Sequence, residues 1–362
     1  MKRIFSTSLL TMSLLVLLGA GQAGAQQSDR TQADKAQADT PQALKAQAGE
    51  EQTANSTTAA SNYQIAPLRR DFKNSFPIPK GEKLEYELKL SRFPIYPVIG
   101  VVTIENLGEI AVRQTPIEQT SQVKKSEPLI NGLNLDFTPA PDEQILHLRG
   151  IAVSKGMFLA IAGIDARYRF ETLVDLRDFS ARVSFKESKE GKKHLAQSAI
   201  FDPSEQQVKY LTTDLNKPDA PPRAKPLERK DGMLGLLSAI YFVRLQKLKE
   251  GQMISFPVST DEANFQFDVL VSKRESLKTD CGNVKAVRLE PKLFGPGRLI
   301  SRQGEMTMWV SDDSKHTPLR LVAKTSSYTV TAKLLNFKEK CNIIEQDEEK
   351  TQKADEKPQK GN

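Results

Sequence analysis

The stretch Leu84-Glu85-Tyr86-Glu87-Leu88-Lys89-Leu90 alternates apolar and charged side chains without a break. Backbone extended as a strand points successive side chains to opposite faces, so Leu84, Tyr86, Leu88 and Leu90 share a dry face while the charges share a wet one. The same beat returns in Phe179, Ala181, Val183 and Phe185, in Phe265, Phe267, Val269 and Val271, in Met306, Met308 and Val310, and in Tyr328, Val330, Ala332 and Leu334. One solvated and one buried face is the mark of antiparallel sheet.

Turn-forming residues separate these runs. Glu190-Gly191, Asp202-Pro203, Asp280-Cys281-Gly282-Asn283 and Asp312-Asp313-Ser314-Lys315 each divide two strand patterns by a few residues, as hairpins do. Consecutive strands are therefore expected to be neighbours in a meander. One segment keeps a different period: Leu234, Leu237, Tyr241, Leu245 and Leu248 recur at steps of three and four, with Asp231 placed to cap the start and Gly251 just past the end. This predicts one helix over 234–248, lying on the concave face of the sheet, which needs an apolar cover. The Pro-rich stretches at 76–79 and 218–226 read as extended entry and crossover segments. The fold expected is mainly β, a large curved antiparallel sheet in the form of an open or half barrel, with one covering α-helix.

The ends read differently. Lys2 and Arg3, an apolar run from Leu9 to Leu18, and Ala23-Gly24-Ala25 before Gln26 form the three parts of a secretory signal, and the apolar run is about half the length that spans a bilayer. Residues 1–25 are read as a cleaved signal peptide, which implies an exported chain, in the periplasm or the extracellular medium, with no integral membrane segment after removal. Residues 26–62, rich in Ala, Gln, Thr and Ser, lack the apolar surface to offset their ordering entropy and read as a disordered linker. Residues 342–362 read as a disordered charged tail, which leaves 63–341 as a single domain.

The net charge of +7 suits anionic envelope material, though no basic block stands out and no nucleic-acid motif is present. The two cysteines, Cys281 and Cys341, read as a disulfide in an oxidising compartment, closing a loop of about 60 residues and worth about 4 kcal/mol on the chain-entropy model; two free thiols are the alternative. No nucleophile elbow, metal-binding helix or phosphate loop occurs, and His147, His194 and His316 stand apart in the sequence, so no catalytic residue, metal or cofactor is assigned.

The C-terminal half, in Leu236-Leu237-Ser238-Ala239-Ile240-Tyr241-Phe242-Val243-Arg244, Leu248-Lys249-Glu250-Gly251, Thr279-Asp280-Cys281-Gly282-Asn283-Val284 and Met308-Trp309-Val310-Ser311-Asp312-Asp313 with Pro318, resembles the bacterial family called domain of unknown function 3108. The opening Gly81-Glu82-Lys83-Leu84-Glu85-Tyr86 and Gly100-Val101-Val102-Thr103-Ile104 is similar too, so the resemblance runs over about 80–338. It implies an exported envelope protein with a curved sheet like the half-barrels of periplasmic lipoprotein carriers, and brings no catalytic residues. Cys281 stands where the family's hairpin often holds a small turn residue, which fits a bridge to Cys341.

Three functions are compatible with these residues. The first is a non-enzymatic protein that binds a lipid or other hydrophobic envelope ligand in an apolar groove, with Leu237, Tyr241, Arg244 and Trp309 as ligand-binding candidates. Arg244, alone in an apolar helix, meets an anionic head, snorkels out to solvent, or pairs with a carboxylate such as Glu290. The second is an assembly partner that docks envelope proteins along a sheet edge. The third is a glycan-acting enzyme using Asp312 or Asp313 beside Trp309, against which stands the ordinary turn chemistry of Asp-Asp-Ser-Lys.

Overall fold

The computed structural model describes residues 64–72, 76–91, 96–110, 143–155, 165–280 and 282–335. The expected signal peptide, linker and tail, and both members of the expected Cys281 to Cys341 bridge, lie outside the described residues.

Two meanders make one sheet. The first comprises β2 (Lys83–Ser91), β3 (Val98–Ile110), β4 (Ile145–Ser154), β5 (Ala166–Asp175), β6 (Ser180–Glu190), β7 (Lys193–Asp202), β8 (Gln207–Asp214) and β9 (Arg223–Glu228). The second comprises β10 (Gln252–Thr260), β11 (Ala263–Thr279), β12 (Gly282–Pro291), β13 (Gly304–Ser311), β14 (Pro318–Thr325) and β15 (Thr329–Leu334). Within each, neighbours in sequence are neighbours in space and antiparallel, as the turn signals predict. The two are welded at β15 and β2, where Ala332 stands opposite Leu88, and the short β1 (Gln64–Ile65) adds in parallel to β10, giving a sheet of 15 strands among the described residues.

The alternation quoted first holds: Leu84, Tyr86, Leu88 and Leu90 are all buried in the main core. It fails in β6, where the dry-face set Phe179, Ala181, Val183 and Phe185 is split. Leu173 pairs with Val183 but Val174 with Ala181, so Arg182 is an extra residue that moves the side chains beyond it to the other face. Val183 and Phe185 join Ile145, Leu173 and Ala196 in a small cluster on the convex side, while Ala181 stays with Phe201 and Tyr210. The guanidinium of Arg182 is buried against Asp175 (2.6 Å) and Glu143 (3.1 Å). A second bulge follows Asn106, whose side chain donates to the carbonyls of Ile78 and Pro79 and accepts from the amide of Gly108, a glycine at φ 92°. Such bulges add the local twist that curls a sheet.

The helix α1 spans Leu236–Arg244 and is shorter than the expected 234–248. Leu234 is taken instead by β10: its amide donates to the carbonyl of Pro257 and its carbonyl accepts from the amide of Ser259. The cap is Gly235, with Ser238 bonded to its amide and carbonyl, not the exposed Asp231. At the far end Gln246 donates to the carbonyls of Phe242 and Arg69 and accepts from the amide of Arg69. Seven of the nine helical residues are buried, so the segment is an interior helix and not a surface amphipathic one. Nine residues are too few to hold a helix in water, and burial inside the curved sheet stabilises it.

Two further features close the interior. Residues 64–72 run as a strap from the β10 edge to the β5–β6 turn, where Phe72 donates to the carbonyl of Leu176 and packs edge-on to Phe179, and Arg70 binds the carbonyl of Gly232. On the other side, the two-residue β10–β11 turn, Asp261-Glu262, reaches across to β6, β7, β8 and β9. Glu262 accepts from Thr212 (2.7 Å), Arg223 (2.5 Å) and Gln197 (3.3 Å), and Lys225 donates to its carbonyl. Polar side chains thus do between these two parts of the sheet what ladder hydrogen bonds do elsewhere. The stretch 218–226 is not a plain crossover, because its last residues are in β9; Pro226 is tolerated there since β9 is an edge strand.

Candidate ligand groove

Between α1 and the second meander the core does not close. Leu236, Ala239, Ile240 and Val243 of the helix form one wall of a groove of about 100 Å³. Phe256 of β10, Phe267 and Val269 of β11, Met306 and Met308 of β13, and Ala332 of β15 form the other. Space for a water in such a groove begins at about 10–15 Å³, so volume does not exclude solvent here; chemistry does, because a water needs polar partners and the walls are nearly all carbon. Tyr86, one of the few polar groups on the wall, spends its hydroxyl on the carbonyl of Pro318 at 2.9 Å. Burial pushes that phenol's pKa up, against the opposing effect of Arg244. Leu236 and Ile240 are only half-buried, and they are the helical side chains that an occupant of the groove would cover.

The residues singled out from sequence lie elsewhere. Leu237 is buried on the neighbouring face of α1. Tyr241 is fully buried, with no hydrogen-bond partner for its hydroxyl among the described residues. Trp309 stands on the face of β13 opposite Met306 and Met308, where its indole N–H donates to Glu275 at 2.6 Å and Arg288 lies over the ring. The same helix lines the groove, through the face of Leu236, Ala239, Ile240 and Val243. That face could have been found from the same period, shifted by one residue.

Arg244 has a carboxylate partner, but it is Glu82 and not Glu290. Its two terminal nitrogens reach the two carboxylate oxygens at 2.7 and 2.9 Å, its Nε donates to the carbonyl of Lys315, and its charge lies over the ring of Tyr241. Burial disfavours the guanidinium charge, yet the hydrogen bonds and charge of Glu82 outweigh it and raise the pKa. Glu290 pairs with Arg288 and Lys292. Arg244 is thereby committed to the protein's own carboxylate and does not line the groove.

Asp312 and Asp313 behave as turn residues. Asp313 accepts from the hydroxyl of Ser311 and the amides of Lys315 and His316, and Asp312 binds Nε of Arg274 at 3.1 Å. His147 and Glu171 are 24 residues apart in sequence, and sheet pairing brings Nε2 of the one to 2.5 Å from the carboxylate of the other, a side chain with no exposure. Arg169 binds the same carboxylate at 2.6 Å. Burial works against the Glu171 charge, yet these two partners lower its pKa. His194 meets Glu187 at 2.8 Å. Among the described residues no group of His, Cys, Asp and Glu could hold a metal ion, and no helix is long and apolar enough to cross a membrane.

Comparison with known proteins adds a family. No curated protein matches the chain. Three solved chains match it, among them a beta-barrel-like protein of domain of unknown function DUF1849 from Brucella abortus. It is 12% identical, the match covers 70% of this chain and 94% of that one, and the TM-score is 0.39. The family model described as protein of unknown function (DUF3108) matches residues 134–334, spanning the helix, the groove-forming second meander and most of the first, and the chain belongs to that family.

Proposed function

We propose that this is a non-enzymatic exported protein that binds a hydrophobic or amphiphilic envelope component in the groove beside α1. The observation that supports it is the groove itself: a space with nearly all-carbon walls, bounded by half-buried Leu236 and Ile240. Burial of apolar ligand surface there yields about 25 cal/mol per Å², which favours an acyl or similar chain over any polar solute. Docking of an envelope protein on a sheet edge has less support, because β9 carries Arg223, Lys225 and Pro226, residues that blunt edge pairing.

The test is displacement of a fluorescent apolar naphthylamine probe from the purified mature protein, with mass spectrometry of an organic extract of the same sample. Wild type is expected to bind the probe and release it to long-chain amphiphiles. Ile240→Trp, which fills the groove from the helix side, is expected to abolish binding without loss of the folded β signal. Probe binding unchanged in the folded variant would refute the assignment.

A further inference from the structure

Leu236 has two neighbouring spaces. On one side is the apolar groove; on the other is a smaller cavity of about 30 Å³ at the start of α1, lined by Thr172, Ser184, Lys186, Gln197, Tyr210 and Asp261 among others. Leu236 thus borders both a carbon-walled space and one that mixes apolar side chains such as Phe170, Phe185 and Leu237 with hydroxyls, an amide, an ammonium and a carboxylate.

Most polar groups in the smaller cavity are engaged. Tyr210 bonds the hydroxyl of Ser259 at 2.9 Å, the amide of Gln197 donates to Thr212 and Glu262, and Lys186 donates to Oδ1 of Asp261 at 2.5 Å. Oδ2 of Asp261 is the exception: it is buried and has no hydrogen-bond partner among the described residues. Leaving a buried charged acceptor unsatisfied costs more than a net hydrogen bond returns, so this oxygen calls for a donor from outside. Asp261 and Glu262 sit at φ 49° and 59°, in the left-handed region where glycine, asparagine and aspartate are the usual choices for a two-residue hairpin, so the turn suits Asp261, and Glu262 is held by its clasp on β7, β8 and β9.

We infer that the cavity at the start of α1 is a head-group site for an uncharged amphiphile bearing a terminal hydroxyl, which donates to Oδ2 of Asp261 while its chain passes Leu236 into the groove. This rests on the groove reading given above. The volume of about 30 Å³ admits a hydroxymethyl group, and a phosphodiester head would bring only acceptors to Oδ2. An ionised carboxylate, an ether or an ester end offers no proton to Oδ2.

The experiment compares dodecanol, its methyl ether, dodecanoate and dodecylphosphocholine as displacers of the naphthylamine probe, in wild type and in Asp261→Asn. Asparagine tolerates the left-handed backbone and keeps a carbonyl oxygen for Lys186, but turns an N–H into the cavity where Oδ2 stood. Dodecanol is expected to displace the probe from wild type about tenfold better than the ether, as one hydrogen bond to a charged acceptor requires, and the advantage is expected to vanish in Asp261→Asn. Equal displacement by dodecanol and the ether in wild type, or an advantage that survives Asp261→Asn, would overturn the head-group site while leaving the groove intact. Failure of all four to displace the probe, or of the probe to bind, would overturn the groove and the head-group site together.

Discussion

Replacing Glu82 by Gln strands a cation in the core. In the folded protein the side chains of Arg244 and Glu82 are 1% and 5% exposed, so water cannot take over when the carboxylate is neutralised. Charge centres roughly 4 Å apart attract by about 4 kcal/mol at an effective dielectric of about 20, and breaking such a buried pair typically costs 3–5 kcal/mol. The amide still offers one oxygen to a guanidinium that keeps the Lys315 carbonyl, which places Glu82→Gln near the lower end, at about 3 kcal/mol. For a domain of this size that lowers Tm by about 6–12 °C. Urea unfolding followed by far-ultraviolet dichroism measures it, with the m-value checked for constancy. The companion variant, Glu82→Leu with Arg244→Met, removes both charges and is expected to lie within about 1 kcal/mol of wild type, because the pair's attraction roughly balances its desolvation. A loss below about 1 kcal/mol in Glu82→Gln, or a double variant as unstable as the single one, would show that the pair is not the buried, mutually dependent unit described.

Other outcomes follow from the same geometry. Glu171 has its pKa lowered below the ordinary 4.5 in the fold, so it contributes stability that is complete above that value and lost as pH falls through the folded pKa; Glu171→Gln should flatten the acid limb of a stability against pH curve, and an unchanged limb would count against the His147 and Arg169 contacts. Glu262→Ala removes the acceptor shared by Thr212, Gln197 and Arg223, for a cost of about 1–3 kcal/mol, and should raise amide exchange in β8 and β9 more than in β12; uniform protection would refute the clasp. Gly304→Ala places a methyl 2.7 Å from the carbonyl oxygen of Lys324 and from the ring of Phe294, so thermal melting should fall by several degrees.

Antiparallel sheet, meander order and the interior helix were legible because each depends on local sequence: period two, turn residues at short intervals, and one apolar stretch of period near 3.6. The errors trace to contacts between distant residues. Nothing around Leu234 announces that Pro257 and Ser259 will claim its backbone, so the helix was drawn two residues too early. The extra residue at Arg182 is a pairing irregularity, visible only beside β5, and it reversed the facing of Val183 and Phe185. For Arg244 a carboxylate partner is one of the readings the sequence leaves open, and nothing in it prefers Glu82, 162 residues away, to Glu290. The groove itself depends on how strands curve around α1, a property of packed volume that pattern cannot supply.

The union of β15 with β2 has a bearing on how this chain is made. Synthesis delivers β2 early and its partner β15 some 240 residues later, so throughout elongation the middle of the final sheet presents a bare row of amides and carbonyls. High sequence separation between pairing strands also slows closure, since the connecting loop's entropy is lost before the ladder forms. A chain broken off anywhere before Thr329 would keep that sticky border for good, and would be open to aggregation or proteolysis in a way the finished chain is not. Arrival of β15 and concealment of that margin are thus the same event.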